Sequence, residues 1–333
     1  MSCSSRLAEA SRGARWCSAG DRERPRLSLA LIFPGQGSQT VGMGVALAAA
    51  YPRAAATLAT ADEVLGFGLS GLMTAGPEDE LTATQNAQPA LLAHSVAVLR
   101  VVADELGPVA YAAGHSLGEF SAHVAAGTLT FEDALAGVRL RGELMFAVGR
   151  ERPGTMAAVL GLSDDEVEAV CAQVDAGVCV PANFNSSGQV VISGDIAGVV
   201  QGMERATEAG ARRVVRLNVS GAFHSPLMEP AAEGLRQKLE SIDFRDPSYP
   251  VVSNVSAKPV TSGSEARDLL VKQLTSAVRW SASIAAMVEL GTDRFLEVGP
   301  GSVLRGLNRR NAKGIPCSSI GEPEDLEDFV KSA

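Results

Sequence analysis

The stretch Ala113-Gly114-His115-Ser116-Leu117-Gly118-Glu119-Phe120 contains the pattern Gly-x-Ser-x-Gly. A short apolar run, 109–113, precedes this pattern, and residues rich in helix-forming types, 119–126, follow it. This context predicts a strand that turns sharply into a helix and pushes the serine side chain out of the turn. Glycines are needed on either side because a Cβ atom there would meet the neighbouring backbone. Ser116 is therefore a candidate nucleophile, and the alternative is an ordinary turn between a strand and a helix.

The segments around this turn predict an α/β fold. Residues 27–33 read as an apolar strand that ends in a glycine-rich loop, 34–39. Helical stretches at about 43–65, 88–105 and 131–149 alternate with strands, which is typical of a mostly parallel sheet covered on both faces. The loop lacks the Gly-Lys-Ser/Thr of a phosphate-binding loop, so we interpret it as a tight turn that aims backbone N–H groups into a site.

The segment 153–220 has a different pattern, in the order β-α-β-β-α-β, which is that of a ferredoxin-like unit. We therefore predict an α/β fold with two parts. The large α/β-hydrolase-like domain has a parallel sheet and is formed by 27–152 and 221–315. The small ferredoxin-like α+β subdomain at 153–220 is inserted into it, and residues 316–333 form a C-terminal tail.

Composition limits the possible functional classes. The chain has 333 residues, of which 46% are hydrophobic, and its formal net charge is -9. An acidic chain is not expected to bind nucleic acid, and no apolar run reaches the roughly 18 residues that a membrane helix requires. The five cysteines and four histidines show no metal-ligand spacing, so we predict no metal site and no association with a membrane.

The scattered cysteines are typical of reduced thiols and predict a cytoplasmic protein. Residues 1–26 are rich in arginine and poor in large apolar residues. A transit peptide for a plastid or a mitochondrion is the alternative, although Glu9, Asp21 and Glu23 depart from the low acid content of such peptides. We predict a disordered extension at 1–26 and a fold that begins near Leu27.

A serine hydroxyl needs a base before it becomes nucleophilic, and His224 is the best candidate. It lies in the loop by which the chain returns to the large domain, and the alternative is a histidine that packs against the next helix. His115 adjoins the serine, where neighbours point in different directions, so we interpret it as a packing residue. Arg139 and Arg141 are two positions apart on a helix and face different sides, so one can bind a carboxylate while the other is solvated.

Further motifs occur along the chain in a fixed order. They are FPGQGSQ (33–39), QPALLAHSVA (88–97), GHSLGEFSA (114–122), VRLRGELM (138–145), NFNSSGQVVISG (183–194), FHSPLM (223–228), QLTSAVRW (273–280) and EVGPG (297–301). In these motifs the chain resembles the malonyl-CoA:acyl carrier protein transacylases, which load malonyl groups for fatty acid synthesis. The resemblance covers residues 27 to about 314.

The resemblance implies a role for each candidate residue. Ser116 would accept the acyl group, and His224 would be its general base, oriented by the backbone carbonyl of Gln273. The backbone N–H groups of Gln36 and Leu117 would form the oxyanion hole, which stabilises the negative oxygen of the tetrahedral intermediate.

The resemblance also implies how the substrate is bound. Arg141 would pair with the free carboxylate of malonate, and Gln88 and Asn185 would lie near the pocket. Phe223 matches the Phe-His-Ser form of malonyl-selective members. The chain departs from a common pattern at Ala277, where many members have proline.

Malonyl-CoA would be the donor and the phosphopantetheine thiol of acyl carrier protein the acceptor, with no bound cofactor and with the enzyme a monomer. Arg309 and Arg310 are candidates for docking an acidic carrier, and the alternative for them is a solvated helix face. Two other functions stay open. One is a serine thioesterase or hydrolase, which shares the serine turn, and the other is an acyltransferase for another polyketide extender unit.

Overall fold

The computed structural model describes residues 28–219 and 221–332, so the predicted extension at 1–26 lies outside the described residues. The first part of the fold runs from the first strand to a long helix. Its elements are β1 (Leu29–Phe33), α1 (Val45–Ala50), α2 (Pro52–Leu65), α3 (Leu69–Ala75), α4 (Glu78–Thr82), α5 (Thr84–Val102), β2 (Val109–Gly114), α6 (Gly118–Ala125) and α7 (Phe131–Glu151).

The single helix predicted at 43–65 is in fact two helices, α1 and α2, which are separated at Tyr51. Tyr51 has a φ of -127° and a ψ of 113°, which is extended backbone. Pro52 begins α2, and the ring of a proline disfavours helical geometry in the residue before it. The prediction was wrong because it followed the alanine-rich composition and gave too little weight to Pro52.

The middle part of the chain forms its own sheet. Its elements are β3 (Gly154–Leu160), α8 (Asp164–Ala172), β4 (Cys179–Ser186), β5 (Gln189–Asp195), α9 (Ile196–Glu208) and β6 (Arg213–Arg216). The strand order is β4-β5-β3-β6, and every neighbouring pair is antiparallel. Apolar residues of β3 and β5, including Ala157, Val159, Val190 and Ile192, are buried beneath α8 and α9.

The remaining elements complete the larger sheet and its cover. They are α10 (Glu229–Glu240), β7 (Val251–Val252), β8 (Pro259–Val260), α11 (Gly263–Lys272), α12 (Trp280–Glu289), β9 (Arg294–Val298), α13 (Val303–Asn311), β10 (Cys317–Ile320) and α14 (Pro323–Ser332), with short 3-10 turns at Pro226–Met228 and Gln273–Thr275. Among the helices in the described ranges, none combines the length and the apolar character needed to span a membrane.

The larger sheet has six strands in the order β10-β9-β1-β2-β7-β8. All pairs are parallel except β7 with β8. All five residues of β1 are buried, as expected for a central strand with helices on both faces. The prediction of an α/β fold with a parallel sheet and a separate antiparallel sheet is confirmed at this level.

Residues 316–333, which the sequence analysis set apart as a tail, contain β10 and α14. Strand β10 pairs with β9 at the edge of the larger sheet, from Cys317 opposite Phe295 to Ile320 opposite Val298. The strand has the sequence Cys-Ser-Ser-Ile, so it is too short and too polar to show the apolar run by which β1 and β9 were identified.

Backbone hydrogen bonds join strand β4 of the smaller sheet to the loop that precedes α12, close to the site described below. The N–H of Val278 donates to the carbonyl of Ala182 at 2.8 Å, and the carbonyl of Val278 accepts from the N–H of Phe184 at 2.9 Å. The loop that carries Gln273 and Ala277 is therefore held against β4 by main-chain hydrogen bonds, and the absence of proline at 277 does not leave it unsupported.

Candidate active site

Ser116 lies in the turn between the end of β2 and the start of α6. Its φ of 52° is in the left-handed region, which is strained for a residue other than glycine. A Cβ atom on Gly114 would lie 1.8 Å from the carbonyl carbon of Gly118, and one on Gly118 would lie 2.3 Å from the carbonyl oxygen of Phe33. The glycines of the motif therefore permit a turn too tight for any other residue, and the predicted strand-turn-helix forms.

His224 contacts the serine hydroxyl. Its Nε2 atom lies 2.8 Å from Oγ of Ser116, and its Nδ1 atom lies 2.9 Å from the backbone oxygen of Gln273. Because a carbonyl oxygen only accepts, Nδ1 carries the proton and Nε2 is free to accept the proton of the serine. Burial and the positive charge of Arg141 lower the pKa of His224 to about 3, so the ring is neutral at pH 7. A neutral imidazole in this position can act as a general base.

Arg141 places a buried positive charge beside the same hydroxyl. Its side chain is 1% exposed, and Nη2 donates to Oγ of Ser116 at 3.0 Å and to Oε1 of Gln273 at 3.0 Å. Nη1 donates to Oε1 of Gln88. Burial lowers the pKa of Arg141 to about 10, while the negative charge of Glu119 raises it, so the guanidinium is charged at pH 7. A charged, planar guanidinium beside a nucleophile can bind an anionic group of the substrate.

The backbone N–H groups of Gln36 and Leu117 are available to a substrate. Both residues line the cavity around Ser116, and neither N–H donates to another atom of the described residues. Leu117 directly precedes α6, at the positive end of that helix. Oε1 of Gln36 accepts from Oγ1 of Thr84 at 3.0 Å, which holds the glycine-rich loop against α5. Two free donors beside a nucleophile can stabilise negative charge on a substrate oxygen.

The cavity has a volume of about 480 Å³ and lies between strands of the smaller sheet and the loops and helices around the serine turn. Ser116, His224 and Arg141 are at one side of it, and its apolar lining comprises Met145, Met156, Val191, Leu217, Val219 and Phe223. A cleft of this size, mainly apolar with a few convergent polar groups, is typical of a site for a small substrate or for part of a larger one.

Comparison with known proteins decides the family. The model of a family described as the acyl transferase domain matches residues 30–331. The chain belongs to the acyl transferase family. Its serine turn, histidine and buried arginine lie within the matched region, so the acyl transferase has its candidate site inside the family domain.

Relatives of this acyl transferase have consistent names. The malonyl CoA-acyl carrier protein transacylase of Bacillus subtilis is 44% identical over 301 residues, covering 90% of this chain and 95% of the relative. The protein of the same name from Escherichia coli is 45% identical over 299 residues, covering 89% and 97%. A solved structure described as a type II PKS acyl-carrier protein in complex with its malonyl-transacylase aligns with a TM-score of 0.88 at 41% identity, covering 92% of this chain and all (100%) of that chain.

Asn254 contacts the serine turn and was not among the residues predicted from the sequence. Its Oδ1 atom accepts from the N–H of Ser116 at 2.7 Å, and its Nδ2 atom donates to the carbonyl of Gly114 at 2.7 Å. The fully buried side chain therefore clamps both ends of the strained turn. A signal was present, since Asn254 follows β7, whose carboxyl end lies at the same edge of the sheet as that of β2.

Glu119 was also missed, although it lies within the quoted serine motif. It is 1% exposed and accepts a hydrogen bond from Nε2 of Gln273 at 2.6 Å. A single acid in the first turn of an otherwise apolar helix looks like an ordinary favourable charge at a helix N-terminus. Only the tertiary structure shows that its carboxylate points inward.

The remaining candidates for the pocket lie at the cavity. Gln88, Asn185 and Phe223 all line it. Oδ1 of Asn185 accepts from Nε2 of His115 at 2.8 Å when that nitrogen carries the proton, and the ring of His115 lies 5.6 Å from that of Trp280. These contacts agree with a packing role for His115.

Arg309 and Arg310 do not reach the cavity. Both are exposed in the last turn of α13. The next residue, Asn311, donates through Nδ2 to the backbone oxygen of Asn185 at 2.8 Å, and Asn185 lines the cavity. The end of α13 therefore lies next to the rim of the site. Within residues 28–219 and 221–332, no group of three or more histidine, cysteine, aspartate or glutamate residues could hold a metal ion.

Proposed function

We propose that this protein transfers the malonyl group from malonyl-CoA to the phosphopantetheine thiol of acyl carrier protein, through a malonyl-serine intermediate, in fatty acid biosynthesis. The observation that carries the proposal is the buried guanidinium of Arg141 at 3.0 Å from the hydroxyl of Ser116. An acyl group attached to that serine has a positive charge beside it, which favours an acyl group that ends in a carboxylate. The names of the relatives agree with this chemistry.

In the first half-reaction Oγ of Ser116 attacks the thioester carbonyl of malonyl-CoA while Nε2 of His224 takes the hydroxyl proton. The negative oxygen of the tetrahedral intermediate would accept hydrogen bonds from the N–H groups of Gln36 and Leu117. Each well-placed donor is worth about 3–4 kcal/mol in the transition state. The intermediate collapses as the carbon–sulfur bond breaks, and the CoA thiolate takes the proton from His224.

Arg141 would position the acyl group during this step. The carboxylate of malonate is two carbon–carbon bonds from the thioester carbonyl, so a guanidinium next to Oγ lies within its reach. An ion pair there would hold the thioester carbonyl next to Oγ of Ser116. The substrate would then lose less entropy on reaching the transition state, because it is already oriented for attack. Gln88, which accepts a hydrogen bond from Nη1, would hold the guanidinium in place.

In the second half-reaction the phosphopantetheine thiol of the carrier attacks the malonyl-serine ester. His224 takes the thiol proton and returns it to Oγ as the ester bond breaks. The mechanism is ping-pong, because the first product leaves before the second substrate reacts. No bound cofactor is needed for either step.

A serine hydrolase is the rival function. Such enzymes usually orient the histidine with an acid that lies between serine and histidine in the chain. Here Nδ1 of His224 faces the carbonyl of Gln273, and the intervening acid Glu119 contacts Gln273 and Asn254 instead. A second candidate is an acyltransferase for another polyketide extender unit. The solved complex contains a polyketide carrier, but its partner there is named a malonyl-transacylase, so the complex does not favour an extender other than malonyl. Phe223 argues against a branched extender, since its ring lines the pocket.

We also propose finer descriptions of the fold. The larger sheet and its helices would be an α/β-hydrolase-like domain formed by 27–152 and 221–315, and residues 153–220 would be a ferredoxin-like subdomain. In support, the smaller sheet has the order β4-β5-β3-β6, in which the first and third strands of the unit are central. The cytoplasmic location and the monomeric state remain predictions from the sequence.

The carrier is expected to dock at Arg309 and Arg310. An acidic carrier needs a local positive surface on a chain whose formal net charge is -9. The exposed end of α13 offers it beside the rim of the site. The double change Arg309→Glu and Arg310→Glu should raise the KM for the carrier about tenfold or more and leave loading from malonyl-CoA unchanged. Steady-state kinetics with varied carrier at low salt would measure this.

The matched control reverses two arginines on other helices, the exposed Arg236 and the half-buried Arg267, as Arg236→Glu and Arg267→Glu, so that the net charge changes equally. If both double variants raised the KM for the carrier to the same extent, the effect would be one of overall charge. An unchanged KM in the α13 variant would reject the docking surface.

The experiment that tests the proposed function follows the malonyl group from CoA to the enzyme and on to the carrier by intact mass. If the enzyme is a transferase, each enzyme molecule should release one equivalent of CoA when it is loaded. Further release of CoA should then require the carrier. Release at the same rate without carrier would favour the hydrolase.

A further inference from the structure

Glu119 is a buried carboxylate that none of the steps above uses. It lies in the first turn of α6, three residues after the nucleophile. Its Oε2 atom accepts two hydrogen bonds, from Nε2 of Gln273 at 2.6 Å and from the N–H of Asn254 at 3.2 Å. Burial raises the pKa of Glu119 to about 7, although these hydrogen bonds and the charge of Arg141 lower it. A buried carboxylate is costly, so its presence here indicates that a strong acceptor is needed.

The carboxylate fixes which way the amide of Gln273 points. Nε2 of that amide faces three acceptors, which are Oε2 of Glu119, the carbonyl of Ser116 at 3.0 Å and Oδ1 of Asn254 at 3.4 Å. Its Oε1 atom faces a donor, Nη2 of Arg141 at 3.0 Å. If the amide were reversed, oxygen would face oxygen on one side and donor would face donor on the other. The observed orientation is therefore the one that satisfies all four partners.

Gln273 in turn contacts both active groups. Its side-chain oxygen holds Arg141, and its backbone oxygen holds Nδ1 of His224 at 2.9 Å. A change in the position of this one residue would therefore move the guanidinium and the imidazole together. The guanidinium is the more sensitive of the two, because it depends on the side-chain amide that Glu119 orients.

The arrangement also affects the charge balance around Arg141. Its three hydrogen-bond partners, Gln88, Ser116 and Gln273, are all neutral. The negative charge that raises the pKa of Arg141 is that of Glu119, on the far side of the Gln273 amide. In the absence of substrate, the ionised form of Glu119 thus offsets part of the charge of the buried guanidinium.

We propose that Glu119 is a positioning residue for malonyl transfer, which holds Arg141 in the orientation that receives the substrate carboxylate by fixing the side-chain amide of Gln273. This inference rests on the proposed function, since its readout compares an acyl group that has a carboxylate with one that does not. Glu119 touches neither substrate nor the reacting atoms.

The test compares acylation by malonyl-CoA and by acetyl-CoA in the full-length protein, wild type and Glu119→Ala. Intact mass gives the rate of each reaction, and labelling of Ser116 with a fluorophosphonate counts the active sites, so that unfolded protein does not enter the rates. Glu119→Ala should lower kcat/KM for malonyl loading about 100-fold, because a small misplacement of a positioning group has effects of this size. Acetyl loading should fall at least tenfold less.

The conservative variant Glu119→Gln supplies a rescue. Its amide oxygen can accept both hydrogen bonds that Oε2 accepts, but the charge is lost. Its ratio of malonyl to acetyl loading should lie between those of the wild type and Glu119→Ala. A ratio as low as that of Glu119→Ala would contradict the hydrogen-bond route through Gln273.

Glu297→Ala is the matched control. Glu297 is also fully buried and accepts hydrogen bonds from the N–H groups of Leu304 and Arg305 at the start of α13. Its removal should lower the melting temperature without changing the ratio of malonyl to acetyl loading. The proposal is overturned if Glu119→Ala, normalised to active sites, keeps the wild-type ratio. If wild-type protein labels at Ser116 but takes up no malonyl group, the proposed function fails instead. The rate of fluorophosphonate labelling in Glu119→Ala then still shows whether the carboxylate acts through Gln273 on His224.

Discussion

His224→Asn should lower the rate of malonyl loading onto Ser116 by at least about 100-fold. Nε2 of His224 lies within hydrogen-bond distance of Oγ of Ser116, at 2.8 Å. General-base catalysis contributes a factor of about 10²–10⁴ to the rate. Asparagine is the suitable replacement because His224 has a φ of 57°, and asparagine tolerates the left-handed region better than most residues. Single-turnover loading followed by quenched mass spectrometry would measure the rate.

Acetyl loading provides the internal control for this variant. The base acts on the serine proton, which is common to both reactions, so malonyl and acetyl loading should fall by the same factor. A malonyl loading rate within about threefold of wild type would contradict the role of His224 as base.

Arg141→Ala should change the acyl preference of the enzyme. Malonyl loading should fall about 10²–10³-fold in kcat/KM, because removal of one partner of a buried charge pair costs roughly 2–5 kcal/mol. Acetyl loading should be spared or improved, since acetyl has no carboxylate to pair with Nη1 and Nη2. The measurement is the ratio of the two loading rates, normalised to sites that react with a fluorophosphonate.

Two further variants sharpen this result. Arg141→Lys keeps a positive charge but lacks the planar fork, so it should recover only part of the malonyl rate. Arg139 lies two positions away on the same helix. Arg139→Ala removes its partly exposed ion pair with Glu143, in which Nε lies 2.6 Å from Oε1. It should leave the acyl preference unchanged. Equal losses with malonyl and acetyl in Arg141→Ala would reject the anchoring role.

The serine turn could be predicted because local sterics decide it. Gly114 and Gly118 leave no space for a Cβ atom, and the apolar run before them and the helix formers after them are visible in the sequence. The parallel sheet followed from the alternation of strands and helices. In both features, the preferences of residues that are close in the sequence agree with the structure that forms in the complete fold.

The choice between Arg139 and Arg141 needed the structure. Helical spacing shows that the two face different sides, but not which side faces the cavity. In the folded chain Arg139 contacts the ring of Phe67, at 4.8 Å from its centre, and pairs with Glu143, whereas Arg141 is buried. The family resemblance pointed to Arg141, and the geometry agrees with it.

The hydrogen bonds of Asn254 and Glu119 could not be predicted from the sequence for a different reason. Their contacts join segments far apart in the chain, such as Asn254 with Ser116 and Glu119 with Gln273. Neither residue type is unusual in its local setting. Buried hydrogen-bond networks of this kind depend on how the sheet brings the ends of its strands together. The periodicity of apolar residues in the sequence does not reveal them.

Intact mass after brief incubation with malonyl-CoA, and again after addition of the phosphopantetheine-bearing carrier, follows the malonyl group through both half-reactions. Peptide mapping locates any adduct, and Ser116→Ala is the control. The account predicts one malonyl group on Ser116 of the wild type, none on the variant, and its movement to the carrier when the carrier is added. Failure to form the adduct, an adduct on another residue, or its loss to water at the same rate without carrier would contradict the account.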